Sequence, residues 1–235
     1  MLWSMPVHHA EACFACWAGY GPGAERLNKP LADLRKIYEA RGSDALPYIR
    51  KALTTSTDPL VIKRAAVYIV ELNDRDSIPY LEDVLSQLIK RVAFSTFGIG
   101  TRGYQGRLAV AHALAKLNPP SMADQIWQKY DQLDHNRKSE VPYILNALED
   151  PKLTMRLMLI LNRAENHQLM VGALNVLADG GNSAALPVLR EKAGLWEAKA
   201  GRAVATVKPV KPVFYYSVLE IKAKQAIDAI EARDK

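Results

Sequence analysis

Cysteine is scarce in this chain: Cys13 and Cys16 are the only two among 235 residues. A disulfide-built scaffold is therefore excluded, because such scaffolds use dense cysteine in place of a large core. No apolar run approaches the roughly 20 residues that a membrane-spanning helix requires. Nothing alternates apolar and polar residues at period two over a useful length, so a sheet finds little support. What is present is ordinary for a globular protein, with 49% hydrophobic and 24% charged residues, which excludes disordered and collagen-like chains. The length suits one large domain or an elongated array with a substantial core. Lysine and arginine number 31 against 25 acids, a net +6 that suits an anionic partner or simply solubility.

A repeated phrase organises the chain. Ala45-Leu46-Pro47-Tyr48-Ile49 returns as Ser77-Ile78-Pro79-Tyr80-Leu81, Glu140-Val141-Pro142-Tyr143-Ile144 and Ala185-Leu186-Pro187-Val188-Leu189. The first two prolines are 32 residues apart and the next gap, 63, is nearly double. The last gap, 45, requires an insertion. Each phrase reads as the opening of an amphipathic helix, where the first-turn N–H that proline lacks has no intrahelical partner anyway. Between phrases lie second helices. Asp58-Pro59-Leu60-Val61 reads as an N-cap, a first-turn proline and the start of an apolar-periodic run to Leu72, which Asn73-Asp74 ends. A helix–turn–helix unit of about 30 residues cannot bury its apolar faces alone, so neighbours must stack.

From Asp58-Pro59-Leu60-Val61 through Ala65-Ala66, Leu72 and Asn73-Asp74 to Ile78-Pro79-Tyr80-Leu81 and Val84-Leu85, the chain closely resembles the short bacterial HEAT repeat, including its PBS-lyase-type form. A looser copy runs from Ala173-Leu174 through Leu177-Ala178-Asp179 and Gly181-Asn182 to Leu186-Pro187-Val188-Leu189, and Asp150-Pro151-Lys152-Leu153 keeps only the opening. The likeness spans roughly residues 44 to 232. It implies an all-α, right-handed α-solenoid of about five HEAT-like helix pairs over residues 31–235, preceded by an irregular capping segment, 1–30. Scaffolds, adaptors, tetrapyrrole lyases and some DNA-repair glycosylases share this family, so it implies a shape and not a reaction.

Departures from the repeat point to a binding edge. Phe94 to Gly103 expands the turn before a helix expected over Tyr104–Leu117, and Gly201 to Val213 expands the turn before a terminal helix expected over Phe214–Ala232. Both interrupt the same kind of turn, so both are expected on one edge of the array, a common place for binding. Charge follows them. No acid occurs from Val84 to Ala123, where Lys90, Arg91, Arg102, Arg107 and Lys116 lie. None occurs from Ala198 to Leu219, where Lys199, Arg202, Lys208 and Lys211 lie. These windows hold more than the whole positive surplus, so the rest of the chain is net acidic. Tyr104, Tyr215 and Tyr216 flank them and add aromatic contact area. The plain alternative is a pair of solvated loops whose cations serve solubility.

Gly98-Ile99-Gly100-Thr101-Arg102-Gly103 matches G-x-G-x-x-G, and Val92–Phe97 has strand character. A dinucleotide site also needs a second parallel strand, and here the following helix runs instead into Asn118-Pro119-Pro120. What survives is a helix N-terminus with Arg102 and Arg107 nearby, suited to a phosphate or carboxylate. At the N-terminus, Cys13 and Cys16 follow His8-His9. They read as part of the capping segment, as a disulfide, or, with His9, as a weak zinc set short of four ligands. Ala10-Glu11-Ala12 before Cys13 has the shape of a signal-peptidase site without its basic and apolar flanks. The compartment is thus cytoplasmic by default, or exported if the start is truncated.

Catalytic constellations are thin. None of His8, His9, His112, His135 and His167 recurs in a ligand-spaced pair with a carboxylate. His112 shares a helical stripe with Gln105 and Lys116 and is expected on a solvent or partner face rather than in a site. Trp127 with Tyr130, Trp196, Met155, Met158 and Met170 are expected as core filler. The expectation is therefore a scaffold or adaptor without cofactor that captures an acidic protein partner along its basic edge. Nucleic-acid binding in the manner of HEAT-like glycosylases and a tetrapyrrole-lyase-like activity stand as alternatives.

Overall fold

The computed structural model describes residues 29–90, 101–117, 121–164, 166–205 and 211–234, and every regular element among them is helical. Contacts divide the chain into two compact units, residues 1–118 and 119–235. No helix among the described residues is long and apolar enough to cross a membrane.

The first unit holds α1 (Lys29–Arg41), α2 (Leu46–Thr55), α3 (Pro59–Glu71), α4 (Ile78–Lys90) and α5 (Thr101–Leu117). Local chemistry sets the boundaries of α3. The Asp58 carboxylate accepts from the Leu60 backbone N–H at 2.8 Å, and Pro59 occupies the first turn. At the other end Asn73 adopts φ 49°, and the Asp74 N–H reaches back to the Ile69 carbonyl at 3.0 Å, closing a left-handed cap. α3 is the centre of the unit, buried from Val61 to Ile69 apart from a half-buried Arg64, and it packs against α1, α2 and most extensively α5. Small residues permit that approach: Ala65 and Ala66 on α3 and Ala109, Ala111 and Ala113 on α5 are all buried. α2 also touches α4, so adjacent helices and alternate helices both pack.

The second unit holds α6 (Ser121–Gln128), α7 (His135–Ala147), α8 (Leu153–Arg163), α9 (His167–Gly180), α10 (Leu186–Ala205) and α11 (Lys211–Arg233). Here α9 is central, packed by α7, α8 and α11, and α10 pairs with α11 along its length. Asn166 caps α9 by accepting from the N–H groups of Gln168 and Leu169, and Asn182 caps the turn before α10. Ion pairs Arg190–Glu231 (2.7 Å) and Lys224–Glu197 (3.8 Å) fix α10 and α11 as antiparallel, because one partner advances as the other retreats.

Arginines hold the helix-ending turns. Arg50 of α2 takes the Asp74 carboxylate at 2.7 Å, and the Ser77 hydroxyl joins both. Arg156, 2% exposed, holds Asp150 at 2.9 Å, pairs with Asp124 of α6, and lies over the Trp127 ring. Arg233 donates to the carbonyls of Leu177, Ala178 and Gly181 at the end of α9.

Several local expectations change. Pro142 does not open its helix: Asp134 accepts from the Arg137 N–H and starts α7 about two turns earlier, leaving Pro142 inside. Asp150-Pro151 is not a second Asp58-Pro59. It follows the left-handed Glu149 (φ 53°) that ends α7, its carboxylate is engaged by Arg156, and α8 begins only at Leu153. The expanded turns are also shorter than expected. Residues 101–103 belong to α5, 201–205 to α10 and 211–213 to α11, where Pro212 fits the first turn. The strand suggested at 92–97, the first half of the glycine motif (98–100) and residues 1–28 lie outside the described residues. Met155 is 48% exposed, so it is not core filler. His112 is half-buried on α5.

Candidate functional site

α10 carries Lys192, Leu195, Trp196 and Lys199 at spacings of three, four and seven, which places them on one face of the helix. Two cations therefore bracket two apolar side chains. Trp196 is buried at 3% exposure, and Leu195 stays 39% exposed. This face borders an open groove of about 460 Å³ lying wholly within the second unit. That volume falls in the range of sites for drug-sized ligands, roughly 300–1,000 Å³. Trp196, Leu219 of α11 and Leu161 of α8, all nearly inaccessible, form its apolar floor. Met170 of α9 adds a flexible apolar wall.

The antiparallel hairpin brings the start of α11 back beside the end of α10. Lys199 Nζ consequently lies 5.3 Å from the centre of the Tyr216 ring, a cation–π contact that orients the ammonium at the rim. Tyr215, 46% exposed, meets His167 at the start of α9 with ring centres 4.7 Å apart. His167 Nε2 is 3.2 Å from the Tyr215 carbonyl oxygen. A carbonyl only accepts, so Nε2 carries a proton and donates in this contact. Phe214, 63% exposed, stands edge-on to Tyr215 just outside.

Among the described residues no carboxylate lines the groove. Nearby Glu197 and Glu220 are both drawn to Lys224, at 3.8 and 2.7 Å, and Glu220 above all raises the Lys224 pKa. The described lining thus sets two cations on an apolar and aromatic surface, a combination suited to an anion carrying an apolar group.

No family model matches this chain, and no curated protein or solved structure matches it. The site's chemistry must be read from its own residues.

Of the residues singled out by sequence, Lys199, Tyr215 and Tyr216 come together in the groove. Arg202 lies one turn beyond Lys199, exposed, its Nε donating to the Ala198 carbonyl at 3.3 Å. Arg107 belongs to the other unit and is half-buried on α5. Arg91 and Lys208 lie outside the described residues, as do Cys13, Cys16 and His9. Lys90, Arg102, Tyr104 and Lys211 lie on helices, but their side chains are likewise outside the described set. Among the described residues no group of three His, Cys, Asp or Glu is arranged to hold a metal. Sequence reading missed Lys192 and His167. The spacing of Lys192 to Lys199 around Leu195 and Trp196 was a usable signal for the first. His167 offered none, because its partner Tyr215 is 48 residues away.

Proposed function

We propose that this chain is a non-catalytic binding scaffold, an α-solenoid of HEAT-like helix pairs, that captures an acidic protein partner. The groove beside α10 is its point of capture. One observation carries the reading: Lys192, Lys199 and two tyrosines line a groove that, among the described residues, is lined by no carboxylate. Its described polar groups are two ammonium groups, two phenols, an imidazole and the Asn162 amide, which suit recognition of an anion and, among the described residues, include no nucleophile–base pair of the Ser–His or Cys–His kind. Packing of adjacent and alternate helices within each unit supports the stacked-hairpin architecture. The acid-free window at 198–219 supports a basic surface beside the groove that includes Arg202.

Calorimetry with an Asp/Glu-rich peptide containing one phenylalanine tests this. Binding weakens as salt rises, and the double substitution Lys192→Glu with Lys199→Glu reduces affinity at least tenfold while circular dichroism stays unchanged. Unchanged affinity in a folded double variant overturns the reading. Tighter binding of a single-stranded oligonucleotide than of the peptide moves it to nucleic acid.

A further inference from the structure

Resting on the acidic-partner reading, we infer that the groove recognises an extended segment of the form acid–x–apolar–x–acid, with the apolar side chain seated between the two lysines. Lys192 and Lys199 are seven residues apart on α10, so their Cα atoms are about 10 Å apart along the axis and on nearly one face. Between them Leu195 remains 39% exposed above the buried Trp196, an apolar step with a cation at each end.

The groove is open to solvent along one side, so a bound segment can lay a single face of side chains into it. In an extended segment, side chains at i, i+2 and i+4 share one face, and i and i+4 lie about 13 Å apart. The central side chain then enters the apolar floor while the outer carboxylates overhang the lysine pair by a few ångströms, a gap that a lysine stem spans. Acids adjacent to the apolar residue, at i±1, point to the opposite face and leave the groove. Lys199 is held over the Tyr216 ring, so its position at the rim is defined before the ligand arrives. On the third side, His167 and Met170 close the groove.

The test uses three labelled nine-residue peptides of identical composition on a Gly background, each with two Glu and one central Phe. The glutamates stand at ±1, ±2 or ±4 from Phe, and binding to the full chain is read by fluorescence anisotropy. The ±2 peptide is expected to bind about fivefold more tightly than the others, the scale of one well-placed exposed charge pair. Lys192→Gln and Lys199→Gln should each erase most of that preference, and Leu195→Ser should reduce the gain from Phe over Ser at the centre. Equal affinity for all three peptides overturns the spacing rule and leaves the acidic-partner reading standing. No binding by any of them removes both.

Discussion

Arg156 shows how a single side chain decides the stability of the second unit. It is 2% exposed and meets Asp150, whose side chain is 1% exposed, at 2.9 Å. Breaking a buried pair by removing one partner strands the other charge, at a cost of about 3–5 kcal/mol. Arg156→Ala should lower the urea midpoint accordingly without changing helix content in dilute buffer. Arg156→Lys keeps the charge but loses the planar fork that serves Asp150 and Asp124 together, and should recover only part of the loss. Asp124 adds a pH signature. Hydrogen bonds from Lys152, then from Arg156, hold its carboxyl below the usual 3.8. A carboxyl depressed on folding contributes stability above its unfolded value and loses it as pH falls through the folded one. Wild type and Asp124→Asn should therefore differ in melting temperature at pH 7, and the difference should shrink as pH falls through the depressed folded-state value. A difference that did not shrink on acidification would separate the effect from the Asp124 charge.

At the scale of elements, backbone approach sets which glycines can change. A Cβ on Gly106 of α5 would meet Pro59 of α3 at 3.4 Å, an ordinary contact, while one on Gly181 would lie 2.5 Å from the Leu177 backbone oxygen. Gly106→Ala should be neutral or raise stability by up to about 1 kcal/mol through helix propensity. Gly181→Ala should destabilise by about 1–3 kcal/mol, because the end of α9 must shift and disturb the carbonyls that Arg233 holds. Chemical denaturation of both variants checks the opposite signs. Helix ends were also the most legible part of the sequence. Asp58-Pro59 and Asn73 act on their own neighbours within a few residues, so their caps could be read directly. Pro142 misled because an earlier local signal, the Asp134 cap, had already started the helix. Asp150-Pro151 misled because its carboxylate is engaged by an arginine six residues on.

On the scale of the whole molecule, net charge is a matter of placement. The acid-free window at 198–219 contributes Lys199, Tyr215 and Tyr216 to the groove, so the composition signal led to real neighbours there. Its account of why was incomplete. The expanded turn is mostly the extension of α10 and α11, which bring their facing ends together beside the start of α9. Lys192 and His167 could not be assigned from composition, because helix packing and not proximity in sequence brings residues 161–219 around one space. The all-α class, in contrast, was written throughout the chain in its helical periodicity and first-turn prolines.

Location of binding tests the central claim most directly. An amide-shift titration of the isotopically labelled chain with the acid–x–Phe–x–acid peptide reads every region at once. Capture by the groove requires shifts concentrated at Lys192–Lys199, at His167–Met170, at Tyr215–Leu219 and at the Trp196 indole. Shifts confined to α1–α5, or none at saturating peptide, would contradict it.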